Sequence, residues 1–203
     1  MTEMPEEVVN LDKFIPGRMP AWVALDIAKA ATGVALFLGH TLIELVEVKC
    51  TKTKVPWTVE RVYPRNPHLS AQKPMRYESF EAALEAAVPN IEGFVIEAGH
   101  VDKNKQTALI LAEQRGVACA TMRILRKAKE WKRFTPSEWR SVIQQSYTLG
   151  GQKFVWPQDT EGAKAMSIAL AKEHLVGDIE MSDNPADAAW LGRAFVLTGG
   201  LQL

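Results

Sequence analysis

The sequence predicts an α/β domain, a mixed five-stranded sheet flanked by helices. Three observations carry the α/β class. Three strand-like apolar segments follow one another between residues 21 and 50. After residue 77 the pattern alternates helix, strand, helix, strand. From residue 134 onward the segments are helical. Consecutive strands with short connections form an antiparallel meander, and helix-linked strands add parallel ones.

Each element follows from local chemistry. Residues 22–39, WVALDIAKAATGVALFLG, read as a strand, a turn around Thr32-Gly33 and a second strand. TLIELVEVKC (41–50) alternates loosely and reads as a third. Segment 51–77 holds Pro56, Pro64, Pro67 and Pro74, shows no period, and reads as a long basic loop. ESFEAALEAAV (78–88) is an amphipathic helix, and GFVIEAG (93–99) is a short buried-type strand. NKQTALILAEQRG (104–116) is a helix that Gly116 stops, and VACATMRIL (117–125) reads as the fifth strand. In FTPSEWRSVIQQSY (134–147), Thr135 caps, Pro136 takes the first helical position and Glu138 completes a capping box. A Gly150-Gly151 loop follows, then helices at 160–175 and 184–197. Residues 1–20, with Pro5, Pro16 and Pro20, read as an arm, and residues 21–203 as one domain without internal repeats.

Composition narrows the function classes. The chain has 203 residues, 47% hydrophobic and 24% charged, which excludes a disordered or collagen-like protein. Cys50 and Cys119 are too few for a disulfide scaffold and suit a reducing compartment. No apolar run is long enough to span a membrane. The acidic first residues carry neither a signal peptide nor a transit pattern, so a cytoplasmic, non-secreted protein is expected.

The formal net charge is zero, but the distribution is uneven. Residues 1–12 carry Glu3, Glu6, Glu7 and Asp12 with no basic residue. Residues 172–187 set Lys172 against Glu173, Asp178, Glu180, Asp183 and Asp187. Segments 51–76 and 123–140 are each basic, and both contain aromatics, Trp57 and Tyr63 in one, Trp131, Phe134 and Trp139 in the other. Basic groups neutralise phosphates and aromatics stack on unpaired bases. Candidate DNA contacts are therefore Lys52, Lys54, Arg61, Arg126, Lys127, Lys132, Arg133 and Arg140, with Lys29 and Lys153 outside these segments. Two solvated surfaces are the alternative reading.

Two carboxylates interrupt apolar strands, Asp26 within WVALDI and Glu97 within FVIE. A buried carboxylate is costly unless it is paired, hydrogen-bonded or metal-bound. A third acidic site opens the last helix, Asp183-Asn184-Pro185-Ala186-Asp187. There Asn184 suits an N-cap, Pro185 the first helical position, and Asp187 the positive helix end. Helical spacing also places Asp187 on the face of Asn184 and Asp183. Convergent oxygen ligands suit Mg²⁺ or Mn²⁺, and two such ions would serve an in-line phosphodiester displacement. No His/Cys set has zinc spacing, and no GxxxxGK[ST] phosphate loop occurs.

Four blocks in order, VALDIAKAATGVAL, GFVIEAGH, NKQTALILAEQRGVAC and DNPADAAWLGRAF, together resemble RuvC-type Holliday-junction resolvases of the ribonuclease H-like superfamily. SEWRSVI followed by EGAKAM resembles the phage branch, where a Trp-Arg pair precedes a glycine loop and a lysine-bearing helix. The resemblance spans roughly residues 21–198 and implies catalytic, metal-binding Asp26, Glu97 and Asp187. It implies a phosphate contact for Lys164. It also implies Mg²⁺ or Mn²⁺ as a pair of ions, a four-way DNA junction as partner, and a homodimer making two symmetric nicks. The implied setting is a bacterial or phage-infected cytoplasm. The chain departs from the pattern twice. Ile27-Ala28 follows Asp26 where the family has Pro-Gly, and Asn184 falls where it has the first acid of the last pair. Either Asp183, by a one-residue shift, or the Asn184 carbonyl completes the site.

Other functions remain open to the sequence. One is a broader nuclease of this fold acting on flaps, forks or RNA. Another, which Asn184 keeps open, is a junction-binding protein whose metal site has decayed. His100, three residues past Glu97, reads as structural. Leu109 and Ala112 share a helix face that suits either a dimer surface or the core.

Overall fold

The computed structural model describes residues 21–50, 56–64, 74–98 and 104–199. The strands are β1 (Ala21–Ile27), β2 (Ala31–Leu38), β3 (Thr41–Cys50), β4 (Trp57–Pro64), β5 (Met75–Tyr77), β6 (Gly93–Glu97) and β7 (Glu130–Phe134). The helices are α1 (Phe80–Ala87), α2 (Lys105–Ala120), α3 (Pro136–Ser146), α4 (Thr160–Ala171) and α5 (Asp183–Leu197). Two of them run on as π-helical turns, α2 through Thr121–Leu125 and α4 through Lys172–Val176.

All strands join one mixed sheet in the order β5-β4-β3-β2-β1-β6-β7. Pairing from β1 out to β5 is antiparallel, and β6 and β7 run parallel to β1. The α/β class with a mixed, helix-flanked sheet is as the sequence predicts. The sheet has seven strands rather than five, because β4 and β5 extend it within the segment read as a loop. Three of the prolines there bound strands instead of forbidding them. Pro56 precedes β4, Pro64 ends it and Pro74 precedes β5.

Side chains alternate between two apolar layers. Trp22, Ala24, Ala35, Phe37 and Leu45 face the layer of α3, α4 and α5, with Trp139 and Trp190 at its centre. Val23, Leu25, Val34, Leu36 and Val46 face α1 and α2, through Leu84 and Met122. Trp22 stacks on Phe37 at 4.3 Å between centroids, and its indole N–H donates to the Gly39 carbonyl at 2.8 Å. Covered on both faces, β1 reads as a continuous apolar run.

Three local expectations are corrected. The β1–β2 turn lies at residues 28–30, closed by the Ala28 N–H to the Ala31 carbonyl, so Thr32 and Gly33 lie inside β2. The helix does not stop at Gly116, where a Cβ would meet open space. It continues, so 117–125 is helical and not a strand, with Ala118 and Met122 one turn apart in the core. The last strand is β7, in which only Phe134 is buried, so it carries no apolar alternation to read. The α3 capping box forms as predicted, with Thr135 and Glu138 each bonding the other's backbone N–H. The arm at 1–20 lies outside the described residues.

Candidate active site

The parallel pair β1–β6 creates the site. Leu25 pairs with Ile96, and the next residue on each strand is an acid, Asp26 and Glu97. Both share the strand face of Ala24 and Val95, the α5 side. Neighbouring strands lie about 4.8 Å apart, so two carboxylates necessarily face each other here. The ends of parallel strands in such sheets are where ligands bind.

The third acid comes from α5, which crosses this face. Opposite Asp26 on β2 is Gly33, and a Cβ there would collide with the Asn184 carbonyl. Glycine therefore lets the first turn of α5 rest directly on the sheet. The helix begins two residues earlier than the Asn184 cap predicts. Ser182 is the N-cap, and Asp183, not Pro185, is the first helical residue. Ser182 does not cap; its hydroxyl donates to Glu47 of β3 at 2.6 Å. Glu47 also accepts from Lys49 Nζ at 3.1 Å. Asp187 follows Asp183 by one turn and accepts a short hydrogen bond from the Ser167 hydroxyl of α4. Ser167 is itself pinned, its carbonyl accepting from the Trp190 indole at 3.0 Å.

Electrostatics mark the cluster. Burial pushes Asp26 well above the carboxylate range, and repulsion from Glu97, Asp187 and Asp183 adds to it. Burial raises Asp187 to about 7, with Glu97 and Asp183 contributing and Ser167 and Arg140 opposing. Asp26 is only 8% exposed, and among the described residues no hydrogen bond or ion pair reaches its side chain. Glu97 accepts from the Trp139 indole N–H at 2.8 Å. Arg115 of α2 is attracted by Glu97 and Asp26, while partial burial pulls its guanidinium below the usual arginine range.

Several side chains that the sequence did not assign emerge here: Trp139, Ser167, Glu47 and Arg115. Trp139 and Arg115 lie in recognisable motifs, but Ser167 and Glu47 carry no local signal. Lys164, on α4, pairs with Asp183 at 3.3 Å, which holds its ammonium above the usual lysine range. Asn184 is half-buried in the same turn.

The remaining basic candidates are dispersed. Arg61 is tied into a close ion pair with Glu44 on β3, and Arg126 donates to the Glu85 carbonyl. Lys29 lies in the β1–β2 turn, its carbonyl accepting from Gln114 of α2 at 3.2 Å. Lys127 adopts a left-handed backbone, φ 55°. On β7, Lys132 sits over Phe134 at 4.5 Å and Arg133 over Trp131 at 5.6 Å. Lys153 is exposed beyond the glycine loop. Arg140 alone of these both borders the carboxylates and has a buried Nε without a hydrogen-bond partner among the described residues. Lys52, Lys54 and His100 lie outside the described residues.

A divalent cation is tested by this donor set. Among the described residues, no three His, Cys, Asp or Glu side chains close on a single point as they stand. The chemistry nevertheless fits a hard cation. The donors are carboxylate oxygens, and the burial and repulsion that raise Asp26 and Asp187 are what a bound divalent ion would relieve.

No protein-family model matches the sequence, and no curated protein sequence matches it either. Solved structures do. Thermus thermophilus RuvC in complex with a Holliday junction substrate aligns over 90% of this chain and 96% of its own, with 10% identity and a TM-score of 0.55. The fold is that of RuvC. A second Thermus thermophilus RuvC structure covers 89% of this chain and 95% of its own at 9% identity, TM-score 0.49. The yeast mitochondrial Holliday junction resolvase Ydc2 covers 88% and 78% at 15% identity, TM-score 0.41. The alignment with the junction-bound RuvC structure alone covers 90% of this chain.

Proposed function

We propose that this protein is a metal-dependent, structure-selective endonuclease that resolves four-way DNA junctions by paired symmetric nicks. The observation that carries the reading is that Asp26 and Glu97 follow paired residues on the adjacent parallel strands β1 and β6, with Asp187 of α5 near enough to act electrostatically on both, in a RuvC-type fold. The RuvC relative bound to a Holliday junction supports branched DNA as the partner.

Asp26, Glu97 and Asp187, with Asp183 or the Asn184 carbonyl, would hold Mg²⁺ or Mn²⁺, expected as two ions. When bound, these ions supply an activated water and offset charge on the leaving oxygen of a phosphodiester. The chain's own residues do the rest. Ser167 orients Asp187, and Trp139 orients Glu97, as supporting hydrogen bonds do around metal-ligating carboxylates. Lys164 and Arg140 supply positive charge beside the acids, where a phosphate with growing negative charge would be stabilised. Arg133, Lys132, Lys127, Arg126, Lys29 and Lys153 are proposed backbone contacts for the junction arms, together with Lys52 and Lys54. Arg61, paired with Glu44, is the weakest of that set.

A homodimer belongs to this reading, because two symmetric nicks need two sites. Leu109 of α2 is 70% exposed and Ala112 is exposed beside it, so this face is not core in the single chain. That supports its use against a second copy. The test is cleavage of a synthetic four-way junction in Mg²⁺ or Mn²⁺, beside flap, fork, RNA–DNA hybrid and linear duplex. Junction-selective, symmetric nicking that Asp26→Asn abolishes is expected. Tight junction binding in EDTA with no nicking under any divalent ion would overturn the enzyme reading in favour of a binding protein.

A further inference from the structure

We infer that Trp156 is a positioning residue, holding the Arg140 guanidinium and the Glu97 carboxylate in place from the loop between α3 and α4; this rests on the nuclease reading above. Trp156 is a buried member of the α3–α5 layer, although its neighbour Val155 is 72% exposed. Its indole N–H donates to the Arg140 carbonyl at 2.9 Å, and its backbone N–H donates to the Gln144 side chain at 3.4 Å. The loop is thereby tied to α3 at Arg140 itself.

The Arg140 guanidinium lies 5.1 Å from the Trp139 ring and 5.4 Å from the Trp156 ring. The two rings meet edge to face at 5.5 Å and 82°. An arginine held by two indoles has lost most of its rotamer freedom before any ligand arrives, which lowers the cost of binding one. Among the described residues its buried Nε has no hydrogen-bond partner. A guanidinium with unspent donors suits the oxygens of a phosphate, which it engages bidentately. The second link runs through Trp139, whose indole N–H holds Glu97. Removing Trp156 would free Trp139 to tilt away from Glu97 and Arg140 to leave the phosphate position. A Trp that served packing alone would show neither link.

The experiment uses Trp156→Phe, Trp156→Leu, Arg140→Ala and the Leu/Ala double variant. Single-turnover junction cleavage in Mg²⁺, junction binding in EDTA and hydrogen exchange of the Trp139 indole N–H without metal are measured. The Leu variant is expected to cut about 10- to 100-fold more slowly, as displaced groups do, with binding nearly unchanged. The Phe variant, which keeps the ring, should recover most of the rate. In the Arg140→Ala background the Leu change should cost less than alone, keeping only the share that runs through Trp139 and Glu97, because linked residues are not additive. Trp139 indole exchange should accelerate in the Leu variant. Additive losses, parallel loss of binding and cleavage, or undiminished Trp139 protection would each overturn the inference. If the wild type cuts no junction, the nuclease reading fails, while indole exchange still decides whether Trp156 positions Trp139.

Discussion

The carbonyl of Asn184 occupies the space that a side chain on Gly33 would need. Gly33 is also the cross-strand partner of Asp26, so one glycine sets how closely the acidic turn of α5 approaches the strand acids. Gly33→Ala should cost roughly 3 kcal/mol, at the upper end for overpacking, because the obstacle is backbone. Gly116→Ala, an exposed helical site with open space around it, should stabilise by up to about 1 kcal/mol. Urea unfolding of the two variants checks both signs. Equal effects would mean that α5 does not rest on β2 as described.

Metal-free stability should fall as pH rises through about 7, the value to which Asp187 is raised. A group whose folded value is raised favours the protonated folded state. Its contribution is full below the unfolded value, about 4, and is lost as pH climbs through the folded one. Asp26, also raised, adds in the same direction. Divalent ions compete with protons for these oxygens, so the melting shift from Mg²⁺ or Mn²⁺ should grow with pH. Thermal melts with EDTA and with metal, from about pH 6 to about pH 8, test this. A metal shift that does not change with pH would remove these acids as ligands.

Asp26→Asn should stabilise the metal-free protein and abolish its stabilisation by divalent ions. It removes a buried charge and leaves a poorer ligand, so the two effects oppose each other. Melting with and without Mn²⁺ separates them. Destabilisation in EDTA would show that the carboxylate has a structural partner instead.

Trp139→Phe should keep the core filled while leaving Glu97 without its indole donor. Hydrogen bonds to charged groups contribute about 1.5–3 kcal/mol. A roughly 10- to 100-fold fall in cleavage is expected, with a smaller change in unfolding free energy. A loss of stability alone, with full cleavage, would make the bond structural.

Lys164→Met should change unfolding free energy by less than about 1 kcal/mol, because its pair with Asp183 is partly solvent-exposed and screened by water. Junction cleavage should nonetheless fall by about 10²-fold or more if the ammonium meets the scissile phosphate. Unchanged cleavage would return Lys164 to the surface-lysine reading.

How much was legible in the sequence varies with the range of the interaction that decides each feature. Local chemistry was enough for the first three strands, for the α3 cap written in Thr135-Pro136-Glu138, and for Asp26 and Glu97 as acids breaking apolar strands. Residues 117–125 defeat it, because a short apolar run suits strand and helix alike and only the core contact of Met122 selects the helix. The edge strand β7 has no apolar alternation, since its ladder to β6 comes from backbone pairing. Gly33 reads as a turn residue until α5 is laid over it. Ser182 carries no local signal, and only the fold brings its hydroxyl to donate a hydrogen bond to Glu47, far away in sequence. The sequence by itself determined the meander, the α3 cap and the acids, because those depend on neighbours a few residues away. Only the tertiary structure decided which side chains support the acids and where α5 begins, because those contacts join segments that chain proximity never brings together.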